Sequence, residues 1–185
     1  MTKDLAQLGR QVAAQHGWPA ARAFKAWTLD EVAGAILTRK ALEILQIMPA
    51  TLDRAALTCA YAVHLMRGWD APAQVIAGQL RIEGQDAFGE ALPLADALGW
   101  EGAGRVSHLW IMMGSQIVDI ALFRQAYAAA GQAHLAKFID LKFGSGKALY
   151  VDEWRSARHR GLTYEPAHVL SNDEVDIFYR RSPIG

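Results

Sequence analysis

The chain contains three residue types that together could carry nucleophilic catalysis: a thiol, an imidazole and a carboxylate. Cys59 is the single cysteine among 185 residues, and His108 and Asp119 follow it on two apolar segments. In such a set the thiolate attacks an acyl carbon, the imidazole takes the thiol proton and later returns it, and the carboxylate orients the imidazole. The order of the three residues therefore predicts a Cys–His–Asp triad.

A β-hairpin would bring the histidine and the aspartate together. Residues 106–113 and 116–121 are apolar, β-branched or aromatic segments separated by only a glycine and a serine, and a leading glycine is typical of a type II′ turn. Counting outward from this turn places Trp110 opposite Asp119 and puts His108 on the same face, as a diagonal neighbour about 7–8 Å from Asp119. We therefore expect the histidine and aspartate side chains to meet.

The thiol needs activation, because free cysteine is mostly protonated at neutral pH. Thr58 is a candidate N-cap of a helix that reaches Arg67, which would place Cys59 in the first turn, where the helix dipole favours an anion. A helix that begins earlier, near Asp53, would weaken this effect and leave more of the activation to His108.

Further residues complete the predicted site. The backbone amide of Cys59 is one candidate donor to an oxyanion, and Gln79 and Gln116 are candidates for the second donor or for substrate binding. Trp110 would flank the site, where it either packs or contacts substrate. The remaining histidines match no metal-binding spacing, and a single cysteine excludes a multi-cysteine metal site or an intrachain disulfide. We expect neither a metal ion nor another cofactor.

Two segments resemble a known family of enzymes. CAYAVHLMRGWDAPAQVIAGQL, which begins at Cys59, resembles the nucleophile helix of transglutaminase-like proteins and the strand that follows it. HLWIMMGSQIVDIAL, which begins at His108, resembles their second block, in which a His-x-Trp strand and a tight turn precede a strand that bears the aspartate. The resemblance covers about residues 58–122. It implies a papain-like core, catalytic roles for Cys59, His108 and Asp119, and proteolysis, deamidation or acyl transfer to an amine.

The elements that must position these residues are of mixed type. An apolar fraction of 52% in a chain of this length suffices for one hydrophobic core, so we predict a single domain over residues 1–185. The predicted fold is α+β, with a papain-like (transglutaminase-like) core at about residues 50–122, a helical part over 1–48 and a C-terminal extension over 123–185; helices pack on a small antiparallel sheet. In chain order the predicted elements are a helix that ends at Gly17 and Pro19, a helix capped by Thr28 and Glu31, a helix over 51–66, a strand over 73–82, a long loop over 84–104, the hairpin, a helix over 122–141 interrupted by Gly131, and a short helix capped by Ser171 and Glu174.

Charge and hydropathy exclude several classes of protein. Lys plus Arg and Asp plus Glu both number 19, so no net field attracts nucleic acid or acidic lipid. The longest segment without a charged side chain, residues 106–118, has 13 residues, fewer than the roughly 20 that a transmembrane helix needs. The N-terminal segment holds Asp4 and Arg10 where a signal peptide would have an unbroken apolar run. We therefore expect a cytoplasmic protein that binds neither nucleic acid nor membrane.

The leading functional prediction is a cysteine-dependent hydrolase or acyltransferase that acts on a peptide or small amide through a thioester on Cys59. Whether water or an amine resolves the thioester stays open. The alternative is a non-catalytic interaction or small-molecule-binding domain on the same fold, in which Cys59 is an inert core residue. Thr58 and Val63 favour this alternative, because they stand where transglutaminase-like proteins commonly carry glycine and a small residue, and so does the long segment after Phe123. A basic cluster, which could meet an anionic substrate or form a solvated face, comprises Arg155, Arg158, His159 and Arg160.

Overall fold

The computed structural model describes residues 3–50, 53–92, 94–100, 105–128 and 133–185, and its fold is α+β. No helix in this part of the chain is both long enough and apolar enough to cross a membrane. The elements are, in chain order, α1 (Lys3–Ala26), α2 (Glu31–Ile47), α3 (Arg54–Met66), β1 (Gln74–Ile82), β2 (Gln85–Asp86), β3 (His108–Met113), β4 (Gln116–Asp119), α4 (Ala121–Ala126), α5 (Ala133–Phe143), β5 (Tyr150–Glu153), α6 (Trp154–His159), β6 (Leu162–Val169) and α7 (Asn172–Tyr179).

The strands form one antiparallel sheet in which β1 has neighbours on both edges. β3 pairs with the first part of β1, and β6 pairs with its other edge. Across the sheet the order is β6-β1-β3-β4-β5, and the short β2 folds back on the end of β1. The sheet therefore joins strands from the middle of the chain to strands near its C-terminal end.

The β3–β4 hairpin has the predicted register. Met113 pairs with Gln116 across the turn. Gly114 has a φ of 58°, a conformation that glycine adopts readily and that a type II′ turn requires at its first central position. A Cβ atom at Gly114 would also lie only 2.6 Å from the carbonyl oxygen of Trp27, so the turn is held closely against the end of α1.

The sheet separates two hydrophobic cores, because side chains alternate between the faces of each strand. On one face α2, α3 and α7 pack against Leu109, Ile111 and Met113 of β3. On the opposite face α1, α5, α6 and most of α4 pack against Trp110 and Met112. This partition decides which of the candidate residues can meet.

Two helices are capped by residues other than those that the sequence pattern favours. α2 is capped by the carboxylate of Asp30 rather than by Thr28 and Glu31. α3 begins at Arg54 and its cap is Asp53, which is the earlier of the two starts considered for this helix. In both cases an aspartate whose side chain accepts a backbone hydrogen bond marks the helix start.

The first helix breaks at the glycine where the sequence pattern predicts its end, and a second helical segment that was not predicted follows it. Gly17 has φ 84° and ψ 165°, which is not a helical conformation, so α1 breaks there as expected. A second helical segment then runs on to Ala26, with Pro19 in its first turn, where proline is tolerated. α1 is therefore two helical segments joined at a sharp bend.

The chain after the hairpin contributes more to the sheet than the sequence pattern predicts. The helix expected over 122–141 is divided into α4 and α5, and the expected break at Gly131 lies outside the described residues. β5 and β6 were not predicted, yet both belong to the sheet. The capping box of Ser171 and Glu174 is confirmed at the start of α7.

The predicted loop over residues 84–104 contains the short strand β2 and turns where it is described. Pro93 and residues 101–104 lie outside the described residues. The described part of this loop brings Phe88 and Trp100 into the protein interior, where each joins one of the two cores.

Candidate functional site

The structure brings His108 and Asp119 into direct contact. His108 Nε2 lies 2.7 Å from Asp119 Oδ2, and both side chains are fully buried. Tyr164 on β6 donates a hydrogen bond of 2.9 Å to the same carboxylate oxygen. Burial first, and then the Asp119 carboxylate, raise the pKa of Tyr164 well above its ordinary value, so the phenol stays a neutral donor.

The second carboxylate oxygen of Asp119 is also occupied. Oδ1 accepts hydrogen bonds from the backbone amides of Ala121 at 2.9 Å and Leu122 at 3.0 Å, which lie at the start of α4. These amides have no acceptor within their own helix, so the carboxylate caps α4. We call His108, Asp119 and Tyr164 the buried cluster.

Aromatic side chains close the buried cluster from the outside. The centroid of the Phe88 ring lies 4.8 Å from that of the His108 ring, and the Trp110 ring stacks on His108 with a centroid distance of 6.1 Å. The guanidinium of Arg54 lies 4.9 Å from the Phe88 ring and donates to the carbonyl oxygen of Ser107. His108 Nδ1, the nitrogen that a triad would direct at a thiol, has no hydrogen-bond partner among the described residues.

Cys59 does not belong to this cluster. Its side chain is fully buried in the core formed by α2, α3 and α7, together with Leu109 and Ile111 of β3. His108 contacts Trp110, whose side chain lies in the other core. The structure therefore does not bring Cys59 and His108 together, because α3 packs on the face of β3 opposite to the histidine, and a triad with Cys59 stays a prediction of the residue order.

The position of Cys59 in its helix also does not favour a thiolate. Because α3 starts at Arg54, Cys59 lies in the second turn rather than at the first free amides. Burial first, and then the carboxylate of Asp53, raise the pKa of the thiol far above its ordinary value. The thiol is neutral at physiological pH.

The three residues predicted to bind substrate do not form one site. Trp110 is fully buried and packs on His108 and Tyr164. Gln79 on β1 donates to Asp86 Oδ1 at 2.5 Å, so its amide is engaged within the sheet. Gln116 is half-buried beside the hairpin turn, at the end of β3 and β4 far from His108.

No group of three or more His, Cys, Asp or Glu side chains within the described ranges is arranged to hold a metal ion. Comparison of the chain with family models, with curated proteins and with solved structures finds no match. The resemblance to transglutaminase-like proteins and the papain-like character of the core therefore stay predictions.

Among the surface cavities that lie away from the buried cluster, two beside α1 differ in their charges. The first, of about 540 Å³, lies between α1 and α6 and contains charges of both signs. Of the predicted basic cluster, Arg160 pairs instead with Asp152 at 3.0 Å. The charged residues that line this first cavity are Asp4, Glu153, Arg155, Arg158 and His159.

The second cavity, of about 230 Å³, lies between the two segments of α1. We call it the α1 groove. This groove was not predicted from the sequence, although one signal is visible in the chain: residues 5–29 contain Arg10, Arg22 and Lys25 but no acidic residue. A local charge imbalance of this kind is hidden by the net charge of zero.

Proposed function

We propose that this chain is a non-catalytic interaction domain on an antiparallel α+β fold. One observation carries the proposal: Cys59 and His108 are both fully buried and lie on opposite faces of the sheet. A thioester mechanism needs the sulfur within hydrogen-bond reach of the imidazole and open to the carbonyl carbon of a substrate. The geometry meets neither condition.

The buried cluster has a structural role that accounts for its residues. Asp119 links β4 to β3 through His108, to β6 through Tyr164, and to α4 through two backbone amides. A buried carboxylate is costly unless its oxygens are satisfied in this way, and a satisfied network favours one arrangement of the strands. The cluster thus supports a rigid scaffold that presents its outer surfaces for binding.

The cysteine-dependent hydrolase or acyltransferase remains a prediction of the residue order and of the family resemblance. The contact between His108 and Asp119 is the geometric feature that agrees with it. For Cys59 to join them, its side chain would have to pass from one face of the sheet to the other. Rotation about side-chain bonds cannot achieve this, because β3 itself lies between the two groups.

Activated esters test the proposal, because they acylate an accessible and activated thiol. Wild type and Cys59→Ala are incubated with p-nitrophenyl acetate, with release of nitrophenolate and the intact mass of the protein as readouts. We expect the same slow release from both proteins and no acetyl adduct on Cys59. A burst of nitrophenolate with an adduct on the wild type, absent from a folded Cys59→Ala, would overturn the proposal.

A further inference from the structure

The α1 groove is a concave surface formed by the bend in α1. The non-helical conformation of Gly17 lets the segment before it and the segment after it line the same cavity. Small residues from both segments, Ala6, Gly9 and Ala21, contribute to the lining. A Cβ atom at Gly9 would meet nothing within 4 Å, so the space above this glycine is open.

The charges around the α1 groove have one sign. Arg10, Arg22 and Lys25 line it and are exposed, and no acidic side chain is part of the lining. Within the described ranges these three side chains form no ion pair. An anionic ligand would therefore meet three cations without displacing a carboxylate.

A large aromatic side chain stands at the groove. Trp18 lines it and is 66% exposed, whereas Phe24 on the same segment is buried against the core. Tryptophan and arginine are the residue types most enriched at energetically important positions of protein interfaces. An exposed tryptophan between unpaired cations is thus suited to contact with another protein.

The size of the groove limits its occupant. A volume of about 230 Å³ is below the roughly 300–1,000 Å³ of sites that enclose a drug-sized molecule. It suits one bulky apolar side chain that projects from a larger partner. A flat bilayer surface would touch the exposed Trp18 but would not fill a recess between two helical segments.

We propose that the α1 groove binds an acidic, amphipathic peptide segment of a partner protein, a specific form of the interaction function proposed above, on which this inference rests. A bulky apolar side chain of the peptide occupies the space above Gly9, and carboxylates on either side pair with Arg10, Arg22 and Lys25. This arrangement is the helix-in-groove or strand-in-groove mode of peptide recognition, with an apolar anchor and charged flanks. Binding weakens as salt is added, because the paired charges are exposed.

A random peptide library displayed on phage is the probe for this inference. It is selected on the full-length wild-type protein and depleted on Gly9→Leu, a variant that fills the groove. Leucine in place of glycine raises helix propensity, so this variant is expected to fold at least as stably as the wild type. We expect enrichment of peptides that combine several Asp or Glu residues with one aromatic or large aliphatic residue.

Affinities of the enriched peptides are then measured by fluorescence polarisation. We expect Trp18→Ala and Arg22→Glu each to weaken binding about tenfold or more, while Lys142→Glu, a charge reversal on α5, leaves it unchanged. The inference is overturned if no acidic peptides are enriched, or if the enriched peptides bind Gly9→Leu as well as the wild type.

Sedimentation with phosphatidylserine vesicles separates the peptide from a membrane surface. We expect the protein to stay in the supernatant. Sedimentation with the vesicles that is lost in Arg22→Glu but kept in Gly9→Leu would show that the basic side chains bind a membrane surface, and would contradict the proposal that the groove binds a peptide. A result against peptide binding in the α1 groove can be distinguished from a result against the proposed non-catalytic function. Peptide binding can fail while p-nitrophenyl acetate still gives no adduct on Cys59, whereas ester turnover that depends on Cys59 overturns the non-catalytic proposal whatever the peptides do.

Discussion

Asp119 is the residue on which the buried cluster depends. Its two oxygens accept hydrogen bonds from His108, from Tyr164 and from the two amides at the start of α4, and its side chain is fully buried. The same contact between His108 and Asp119 that predicts a catalytic dyad from the sequence is, in the structure, one bond of a network that holds strands together. The residue types alone do not distinguish these roles, because catalysis and structure use the same donors and acceptors.

Asp119→Asn tests the structural role of this carboxylate. The substitution keeps the volume but replaces one acceptor oxygen by an NH2 group, which faces groups that donate. We expect the free energy of unfolding to fall by about 3 kcal/mol, as when one member of a buried charged network is removed. The measurement is urea denaturation followed by far-ultraviolet circular dichroism.

Asp96→Asn is the matched control for this substitution, because Asp96 is exposed. It should change the free energy of unfolding by less than about 0.5 kcal/mol. Equal stability of Asp119→Asn and the control would show that the buried cluster does not hold the strands together.

At the scale of elements, α7 is joined to the rest of the fold by the carboxylate of Glu174. Trp100 Nε1 donates to it at 2.8 Å, the amide of Ser171 donates at 2.7 Å, and His168 on β6 lies at 2.9 Å. Burial alone would raise the pKa of Glu174, but these hydrogen bonds and the nearby imidazole outweigh burial and lower it below 4.5. The carboxylate is therefore bound more favourably in the folded state when it is ionised.

This shift predicts a dependence of stability on pH. A carboxyl group whose pKa is depressed on folding contributes stability above its unfolded pKa and loses it as the pH falls through the folded value. Glu174→Gln should therefore reduce the free energy of unfolding by about 1 kcal/mol at neutral pH, and the difference should shrink as the pH falls below 4.5. Urea denaturation at a series of pH values measures it.

The exposed Glu90 provides the comparison for Glu174. Glu90→Gln should show no difference from the wild type at either end of the pH range. A stability loss in Glu174→Gln that persists undiminished at low pH would mean that packing, rather than the charge of this carboxylate, is what the substitution removes.

The hairpin could be predicted because the residues that determine it are neighbours in the sequence. Two apolar segments and a leading glycine at the turn set the register, and that register puts His108 beside Asp119. The close approach of the turn to Trp27 was not predictable, because it depends on α1.

β6 was missed because its defining contacts are distant in the chain. Pro166 has no backbone N–H to donate to a neighbouring strand, so its presence argues against a strand in the sequence pattern. In the structure it lies opposite Gly78, at an irregularity in the pairing of β6 with β1. A Cβ atom at Gly78 would lie closer to the carbonyl oxygen of Glu165 than any real contact allows, so the glycine permits the approach of β6. Neither strand reveals this fit in isolation.

The candidate site was half predictable for a similar reason. The sequence predicts that His108 and Asp119 share one face of the sheet, because side chains alternate between the two faces along each of two adjacent strands. The face on which α3 packs does not follow from any local pattern, because both faces of β3 are apolar and fully buried. The start of α3 also depended on a choice between two capping residues, and the structure has Asp53 rather than Thr58.

At the scale of the whole molecule, the sheet acts as a partition between two cores. One core contains Cys59 and the helices α2, α3 and α7, and the other contains Trp110, Tyr164 and the first helix. Helices cover both faces of the sheet, so β3 lies between Cys59 and the buried cluster. The binding function proposed above places recognition on the outer surfaces, and the α1 groove is a described surface that combines an apolar lining with a single sign of charge.

The most direct test of this account is the alkylation of Cys59 by iodoacetamide in a series of urea concentrations, followed by the intact mass of the protein. A Thr38→Cys variant in a Cys59→Ser background serves as the control, because Thr38 is exposed on α2 and its cysteine should react at once. We expect no labelling of native Cys59 at mildly acidic or mildly alkaline pH, and labelling that rises with urea in step with global unfolding. Rapid labelling of the native protein below neutral pH, lost in His108→Ala, would show a thiolate sustained by the histidine and would contradict the separation of Cys59 from His108.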